Sequence, residues 1–318
     1  MLSMLTFDQV CQEIRGTSVS LLLGNGFSIG FDPIFNYNNL KYVVFTKAFE
    51  DIDVEQLMFS VFNSPDDVVE RIKKGFIDGI LAIHPSMGTG RFDRCVAFLM
   101  NFAKVYTLNY DLILYWAINS DQQLRDRFWD GFGIERQQRV PEWPNTDTTT
   151  FYLHGSLILH CTNPEGAGNI CPRPANECCV EKYKHPKDGF IVHPTWIDLL
   201  RTRTNSGEYP HFVSEGDARQ KYLRIQKCTY LKGCYEALKG EQGNLVTYGV
   251  SFEKDTHILA AIKASRVTCC YIGVYDAENS STLVQKAASL CSNLRTVKFY
   301  DVRTANVWPD PVNWGNPI

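Results

Sequence analysis

SLLLGNGFSIG, residues 20–30, joins a short apolar run to glycines at positions 24, 26 and 30. An apolar run of this length that ends at glycine is typical of a strand buried in a parallel sheet. Gly24 and Gly26 allow a tight turn into a helix, whose first amides and the Ser28 hydroxyl are suited to a phosphate group. A strand-to-helix turn without a ligand is the alternative interpretation.

The same glycines are a poor match to the G-x-G-x-x-G fingerprint of hydride-transfer enzymes. The third glycine, Gly30, comes one residue late. No clear second strand ending in Asp or Glu follows at about 20 residues, where that fingerprint places the ribose-binding carboxylate.

Short apolar runs recur along the chain and alternate with segments of helical periodicity. This alternation predicts an α/β fold, a Rossmann-like doubly wound parallel sheet. The predicted strands are 18–23, 104–108, 150–153, 189–193, 244–248, 269–274 and 296–300, and the predicted helices are 68–83, 92–102, 110–119, 219–239, 256–265 and 280–291.

Two stretches depart from this alternation within what we expect to be a single domain over residues 1–318. Residues 37–100 read as wholly helical and predict a helical lobe inserted after the first glycine turn. Residues 161–186 are rich in Pro, Asn, Cys and Gly and predict an irregular surface insertion.

The formal net charge of −3 argues against nucleic acid or an anionic membrane as a partner. We find neither a basic-then-apolar export signal nor a bilayer-spanning apolar stretch, so we expect a cytoplasmic protein whose eleven cysteines are reduced. Cys161, Cys171, Cys178 and Cys179 do not have the spacing of paired zinc knuckles, so no metal is expected.

Polar or small residues follow three further predicted strands. Asn109 and Asp111 follow the second, His154 and Gly155 the third, and Gly249 and Ser251 a later one. Ligands of open parallel sheets bind beyond the carboxyl ends of the strands. Each motif taken singly also has a structural interpretation, as a helix cap, a hydrogen-bonded turn histidine or a plain connection. His257, in the helix after the last motif, is interpreted as a solvated or capping residue, with a position facing the site as the less favoured alternative.

Together and in this order, the motifs resemble those of the sirtuin superfamily. GNGFS (24–28) resembles its phosphate loop, Phe35 its nicotinamide-side aromatic residue, LNYD (108–111) its Q-N-x-D motif, His154-Gly155 its catalytic H-G, and GVS (249–251) its adenosine-side loop. Leu108 replaces the usual glutamine, Asn36 replaces an arginine, and the paired zinc knuckles are missing. These departures make the chain most similar to bacterial sirtuin-like proteins of antiviral defence.

The resemblance implies an NAD+ hydrolase that acts by depleting NAD+. It assigns Asn109, Asp111 and His154 to catalysis and a further set to the dinucleotide: Gly24, Asn25, Gly26, Phe27, Ser28, Phe35, Gly249 and Ser251. His154, with an ordinary pKa near 6.5, is then suited to accept a proton. Phe27 or Phe35 is expected to wall the nicotinamide pocket.

A toxic activity of this kind implies a trigger, so we expect a homo-oligomer or a partner ATPase or sensor chain. The first alternative is a module that binds NAD or ADP-ribose without turnover. A weaker alternative is an NAD-dependent deacylase or ADP-ribosyltransferase, which normally needs the zinc lobe that this sequence lacks.

Overall fold

A seven-stranded parallel sheet flanked by helices forms the centre of the molecule, so the predicted α/β, Rossmann-like architecture is confirmed. The structure is a computed structural model that describes residues 4–49, 65–85, 92–132, 147–162, 179–182, 196–206, 209–213, 217–275, 280–292 and 294–309. The predicted strand at 189–193 lies outside the described residues.

The central sheet has seven strands among the described residues, numbered in chain order together with those of a second sheet. Those formed by buried apolar runs match the predicted ranges to within a few residues. They are β2 Val19–Leu23, β3 Lys104–Thr107, β4 Thr150–Tyr152, β8 Gln242–Tyr248, β9 Arg266–Val274 and β10 Val297–Asp301. The two-residue strand β1 (Met4–Leu5) is only half-buried and was not predicted. Across the sheet the order is β1-β10-β9-β8-β2-β3-β4. Every residue of β2 is buried, as a strand covered on both faces requires.

The chain winds outwards from β2 in both directions. It passes first to β3 and β4 on one side, and later to β8, β9 and β10 on the other. The strand order therefore reverses between β2 and β8, and such a reversal opens a crevice for ligands in doubly wound sheets.

Helices occupy most of the connections between these strands. The first, α1 (Phe7–Ile14), begins with a capping box in which Thr6 and Gln9 satisfy each other's backbone amides. The others are α2 Asn25–Phe31, α3 Tyr37–Phe49, α4 Pro65–Ile83, α5 Asp93–Leu99, α6 Ile113–Ser120, α7 Gln122–Arg127, α8 Trp196–Asn205, α9 Ala218–Gln226, α10 Thr229–Lys239, α11 Thr256–Ala264 and α12 Ser280–Leu290.

The single helix predicted over 219–239 is wrong, because the chain forms α9 and α10 with a break between them. Cys228 has extended backbone angles, φ −115° and ψ 118°, and precedes the first residue of α10. The apolar periodicity continues through this break, because both helices pack on the same core. None of the described helices combines the length and apolarity that crossing a membrane requires.

A second, antiparallel sheet was missed by the sequence analysis. It has three strands, β5 (Gly155–Thr162), β6 (Cys179–Lys182) and β7 (Pro210–Phe212), with β5 in the middle. Part of the predicted irregular insertion at 161–186 is therefore regular strand, and the register sets Thr162 against Cys179. Cys171 and Cys178 lie outside the described residues.

The predicted helical lobe at 37–100 contains α3, α4 and α5 among its described residues. α3 and α4 pack against each other, and α4 also contacts α8. That these helices form a separate inserted lobe stays a prediction, because residues 50–64 and 86–91 lie outside the described residues.

Candidate active site

The carboxyl ends of four neighbouring strands lie at one edge of the central sheet. Leu23, the last residue of β2, is in register with Thr107 of β3 and Tyr248 of β8, and Thr107 is in register with Tyr152 of β4. The predicted motifs begin within two residues of these strand ends, at Gly24, Asn109, His154 and Gly249. Residues far apart in the chain thus share the edge at which the strand order reverses.

The glycines after β2 and β8 are required by the close approach of their two loops. A Cβ on Gly24 would lie 2.4 Å from the carbonyl oxygen of Gly249, and one on Gly26 would lie 2.6 Å from Gly249 Cα. The Gly26 amide donates to the Gly249 carbonyl at 3.0 Å. These contacts explain the glycines without a ligand, which was the alternative interpretation, and phosphate binding here stays a prediction.

Trp308, near the end of the described chain, fixes helix α2 from the outside. Its Nε1 donates to the carbonyl oxygen of Phe27 at 2.8 Å, and its ring leaves room only for a glycine at position 30. Phe27 is fully buried between Trp308 and Tyr248. Its ring therefore packs in the core, and that Phe27 or Phe35 walls a nicotinamide pocket stays a prediction. No local signal in the sequence links Trp308 to the glycine turn.

Three polar side chains form a connected cluster at the edge. Ser28 Oγ donates to Asp111 Oδ2 at 2.6 Å, and Asn109 Nδ2 donates to Ser28 Oγ at 2.9 Å. Asp111 Oδ1 also accepts from the amide of Ile113 at 2.9 Å, the start of α6. Asp111 thus accepts from the first amide of α6 without being its N-cap, which is Leu112, and its other oxygen joins the cluster. We call Ser28, Asn109 and Asp111 the amide cluster.

The amide cluster is buried but incompletely satisfied. Asn109 is 5% exposed, and no hydrogen-bond donor among the described residues contacts its Oδ1. The orientation of the amide follows from its neighbours, because the Ser28 proton is given to Asp111 and Ser28 can only accept from Asn109. Burial raises the pKa of Asp111, against the lowering effect of its hydrogen bonds to Ser28 and Ile113.

His154 faces a second histidine that the sequence analysis interpreted as solvated or capping. The Nε2 atoms of His154 and His257 lie 3.0 Å apart, and both residues are buried. Burial lowers the pKa of His154 to about 3 and that of His257 to about 4. His154 therefore does not have the ordinary pKa near 6.5 that the sequence analysis assumed, because the buried site disfavours the charged ring.

Asp255 and Lys221 complete a second cluster with this pair, which we call the imidazole cluster. Asp255 Oδ1 lies 2.8 Å from Lys221 Nζ and 3.9 Å from His154 Nε2. Although Asp255 precedes helix α11, its carboxylate makes no cap bond and is turned toward Lys221 instead. Asp255 and His257 share the sequence motif DTH, whereas Lys221 comes from α9 without a local signal.

Ligand atoms of His154, His257 and Asp255 lie within 4.8 Å of one another, close enough for one metal ion to contact all three. The 3.0 Å separation of the two Nε2 atoms, with ring centroids 5.2 Å apart, shows that the rings point their Nε2 corners at each other. That is the geometry of an N–H···N hydrogen bond. No signal in the sequence spacing indicated this trio.

The remaining predicted binding residues lie around the edge in different environments. Asn25 Nδ2 donates to the Phe35 carbonyl at 3.0 Å, and the Phe35 ring is buried edge-on against His84. Burial lowers the pKa of His84 to about 4, and its Nε2 accepts from the Leu112 amide. Ser251 is exposed.

A family model described as Domain of unknown function (DUF4917) matches residues 64–170 and 189–308 of the chain. The chain belongs to this family. The matched segments carry Asn109, Asp111, His154, Asp255 and His257, whereas the glycine turn precedes them. No curated protein matches the chain.

Proposed function

We propose that this protein hydrolyses NAD+ to nicotinamide and ADP-ribose. The observation that carries the proposal is the buried Oδ1 of Asn109, which has no donor among the described residues. It lies at the sheet edge where doubly wound folds bind dinucleotides. A buried acceptor of this kind costs about 1–3 kcal/mol unless a ligand or water donates to it.

The chemistry of the bond explains why such an acceptor is useful. When the bond between the ribose C1′ and the nicotinamide nitrogen breaks, its electron pair goes to the ring nitrogen and leaves positive charge on the ribose. A water oxygen then bonds to C1′ and loses a proton. Asn109 Oδ1 accepts from that water or from a ribose hydroxyl, and positioning of this kind is worth up to about 7–11 kcal/mol.

Asp111 supplies negative charge near the developing cation. Its carboxylate is held on one oxygen by the Ile113 amide and on the other by Ser28. This fixed carboxylate needs no reorganisation as charge develops, which favours the transition state over the ground state. The resemblance of LNYD and His154-Gly155 to sirtuin motifs supports the same set of residues.

Consumption of NAD+ in antiviral defence is the biological role that the resemblance supports. We propose that the activity is held off in the cytoplasm until a homo-oligomer forms or a partner ATPase or sensor chain is engaged.

Nicotinamide release from NAD+ by the purified protein tests the proposal directly. Chromatography measures the release before and after assembly is induced. We expect Asn109→Ala to lower release by about 100-fold or more, because positioned polar groups typically contribute at least that factor. Asn101→Ala is the matched control, since its amide donates to the carbonyls of Ala97 and Phe98 in α5 and, among the described residues, accepts only from the Cys11 thiol. Equal rates for Asn109→Ala and the wild type would contradict the proposed site.

Binding without turnover is the second candidate, and the lowered pKa of His154 favours it. A histidine whose pKa is about 3 is a weak proton acceptor at neutral pH. Titration calorimetry with ADP-ribose and NAD+ separates the two functions. Tight binding of both, with no nicotinamide formed in any assembly state, would establish the binding module and overturn hydrolysis.

A further inference from the structure

The pair of histidines shares one N–H at its contact, because each neutral imidazole has one donor and one acceptor nitrogen. Either His257 donates from Nε2 to His154, or His154 donates to His257. The two arrangements place the second proton differently. In the first, His154 carries it on Nδ1; in the second, His257 carries it on Nδ1.

The surroundings of His257 decide between these arrangements. Its Nδ1 is buried and contacts no hydrogen-bonding group among the described residues. Buried N–H groups without an acceptor are rarer in proteins than buried acceptors without a donor. An unprotonated Nδ1 on His257 is therefore favoured. The proton of His257 then lies on Nε2, and His257 is the donor to His154.

Lys221 neutralises the negative charge that would otherwise favour a proton on His154 Nε2. The Asp255 carboxylate lies 3.9 Å from His154 Nε2, and alone it would attract a proton onto that atom. Lys221 Nζ binds the same oxygen at 2.8 Å, so the pair has no net charge. The backbone of His257 is also held in place, since the Tyr235 hydroxyl donates to its carbonyl oxygen at 3.0 Å.

We propose that His257 is a positioning residue that holds His154 in its Nδ1–H form, so that His154 donates a hydrogen bond to the substrate ribose and does not serve as the base. This inference rests on the proposed function for the identity of the ligand, but the tautomer itself is a property of the free protein. The proton lost by water then goes to the Asp111 carboxylate, which Ser28 links by hydrogen bonds to Asn109, the residue proposed to hold that water.

Long-range proton–nitrogen correlation spectra of histidine-labelled protein, recorded without NAD+, report which ring nitrogen carries the proton. We expect Nδ1–H for His154 in the wild type at pH 7. His257→Gln keeps an amide donor for His154 Nε2 and should retain this form, whereas His257→Leu removes the donor and should populate the Nε2–H form. His160→Gln, in the second sheet, is the control and should leave His154 unchanged.

The activity assay supplies the second measurement. We expect nicotinamide release by His257→Gln within about threefold of wild type and a loss of about tenfold in His257→Leu, near the upper end for one neutral hydrogen bond. An Nε2–H signal for His154 in the wild type overturns the inference, even if His257→Leu does not fold. If added Zn2+ abolishes the hydrogen bond between His154 and His257 and shifts the signals of both Nε2 atoms, the inference is overturned in favour of a metal site. Nδ1–H in a protein that releases no nicotinamide leaves the tautomer established and overturns only the proposed function.

Discussion

Two buried polar networks lie at opposite edges of the same sheet and differ in how completely they are satisfied. At the amino ends of the strands, the Glu241 carboxylate accepts from Tyr106 at 2.6 Å, Lys104 at 3.2 Å and the Gln242 amide at 3.0 Å. At the carboxyl ends, Asn109 Oδ1 and His257 Nδ1 are buried without a partner among the described residues.

Under the proposed function, this difference separates a structural network from a ligand-binding one. Buried polar groups cost little free energy when each has a hydrogen-bond partner, as those around Glu241 do. Unpartnered atoms in a native structure call for another explanation, and a ligand is the one that fits a sheet edge where the strand order reverses. Under the proposed function, the amino edge contributes stability, and the carboxyl edge is less stable because it keeps unpaired polar atoms for a ligand.

The largest expected difference comes from replacing one polar residue of each network with leucine. Glu241→Leu should lower the free energy of unfolding by about 3 kcal/mol, because it leaves the Tyr106 hydroxyl and Lys104 without their buried partner. Asn109→Leu should stay within about 1 kcal/mol of wild type, since it removes an unsatisfied atom along with one hydrogen bond. Urea denaturation measures both. Equal losses would show that the two edges do not differ in this way.

The next effect concerns the glycines that close the carboxyl edge. Gly249→Ala should destabilise by about 3 kcal/mol, combining the left-handed backbone with a clash against the Gly26 backbone. Gly249 has φ +67°, and an added Cβ would lie 2.6 Å from Gly26 Cα. Gly16→Ala is the matched control, with φ +77° and no atom within 4 Å of the added Cβ, and should cost about 1 kcal/mol. If both variants lost the same free energy of unfolding in thermal and urea denaturation, the loops of Gly249 and Gly26 would have to separate readily.

A further effect is a pH dependence that comes from the histidines. The pKa values of about 3 for His154 and about 4 for His257 lie below the ordinary value, so between about pH 6.5 and 4 only the unfolded state takes up these protons. Stability should therefore fall as the pH is lowered, by up to about 1.4 kcal/mol per pH unit for each histidine.

Urea denaturation at pH 7 and pH 5 isolates this contribution. The double variant His154→Gln/His257→Gln should have a shallower dependence than wild type, with a remainder from His84, whose pKa is also lowered to about 4. An unchanged slope in the double variant would contradict the burial of the imidazole cluster.

The sequence by itself determined most strands of the central sheet. Short apolar runs that end at glycine or a polar residue, such as Val19–Leu23 before Gly24, fix both the strand and its carboxyl end, because a chain segment this apolar is stable only when both faces are covered. The carboxyl-edge position of Asn109 and His154 followed from the same local pattern.

Only the tertiary structure decided what those residues contact. Lys221, Asp255 and His257 reach His154 from two helices more than 60 residues along the chain, and no local period encodes such a meeting. The lowered pKa of His154 has the same origin, since desolvation depends on every segment that covers the ring. Local sequence specifies which groups arrive at an edge, and packing specifies their protonation and partners.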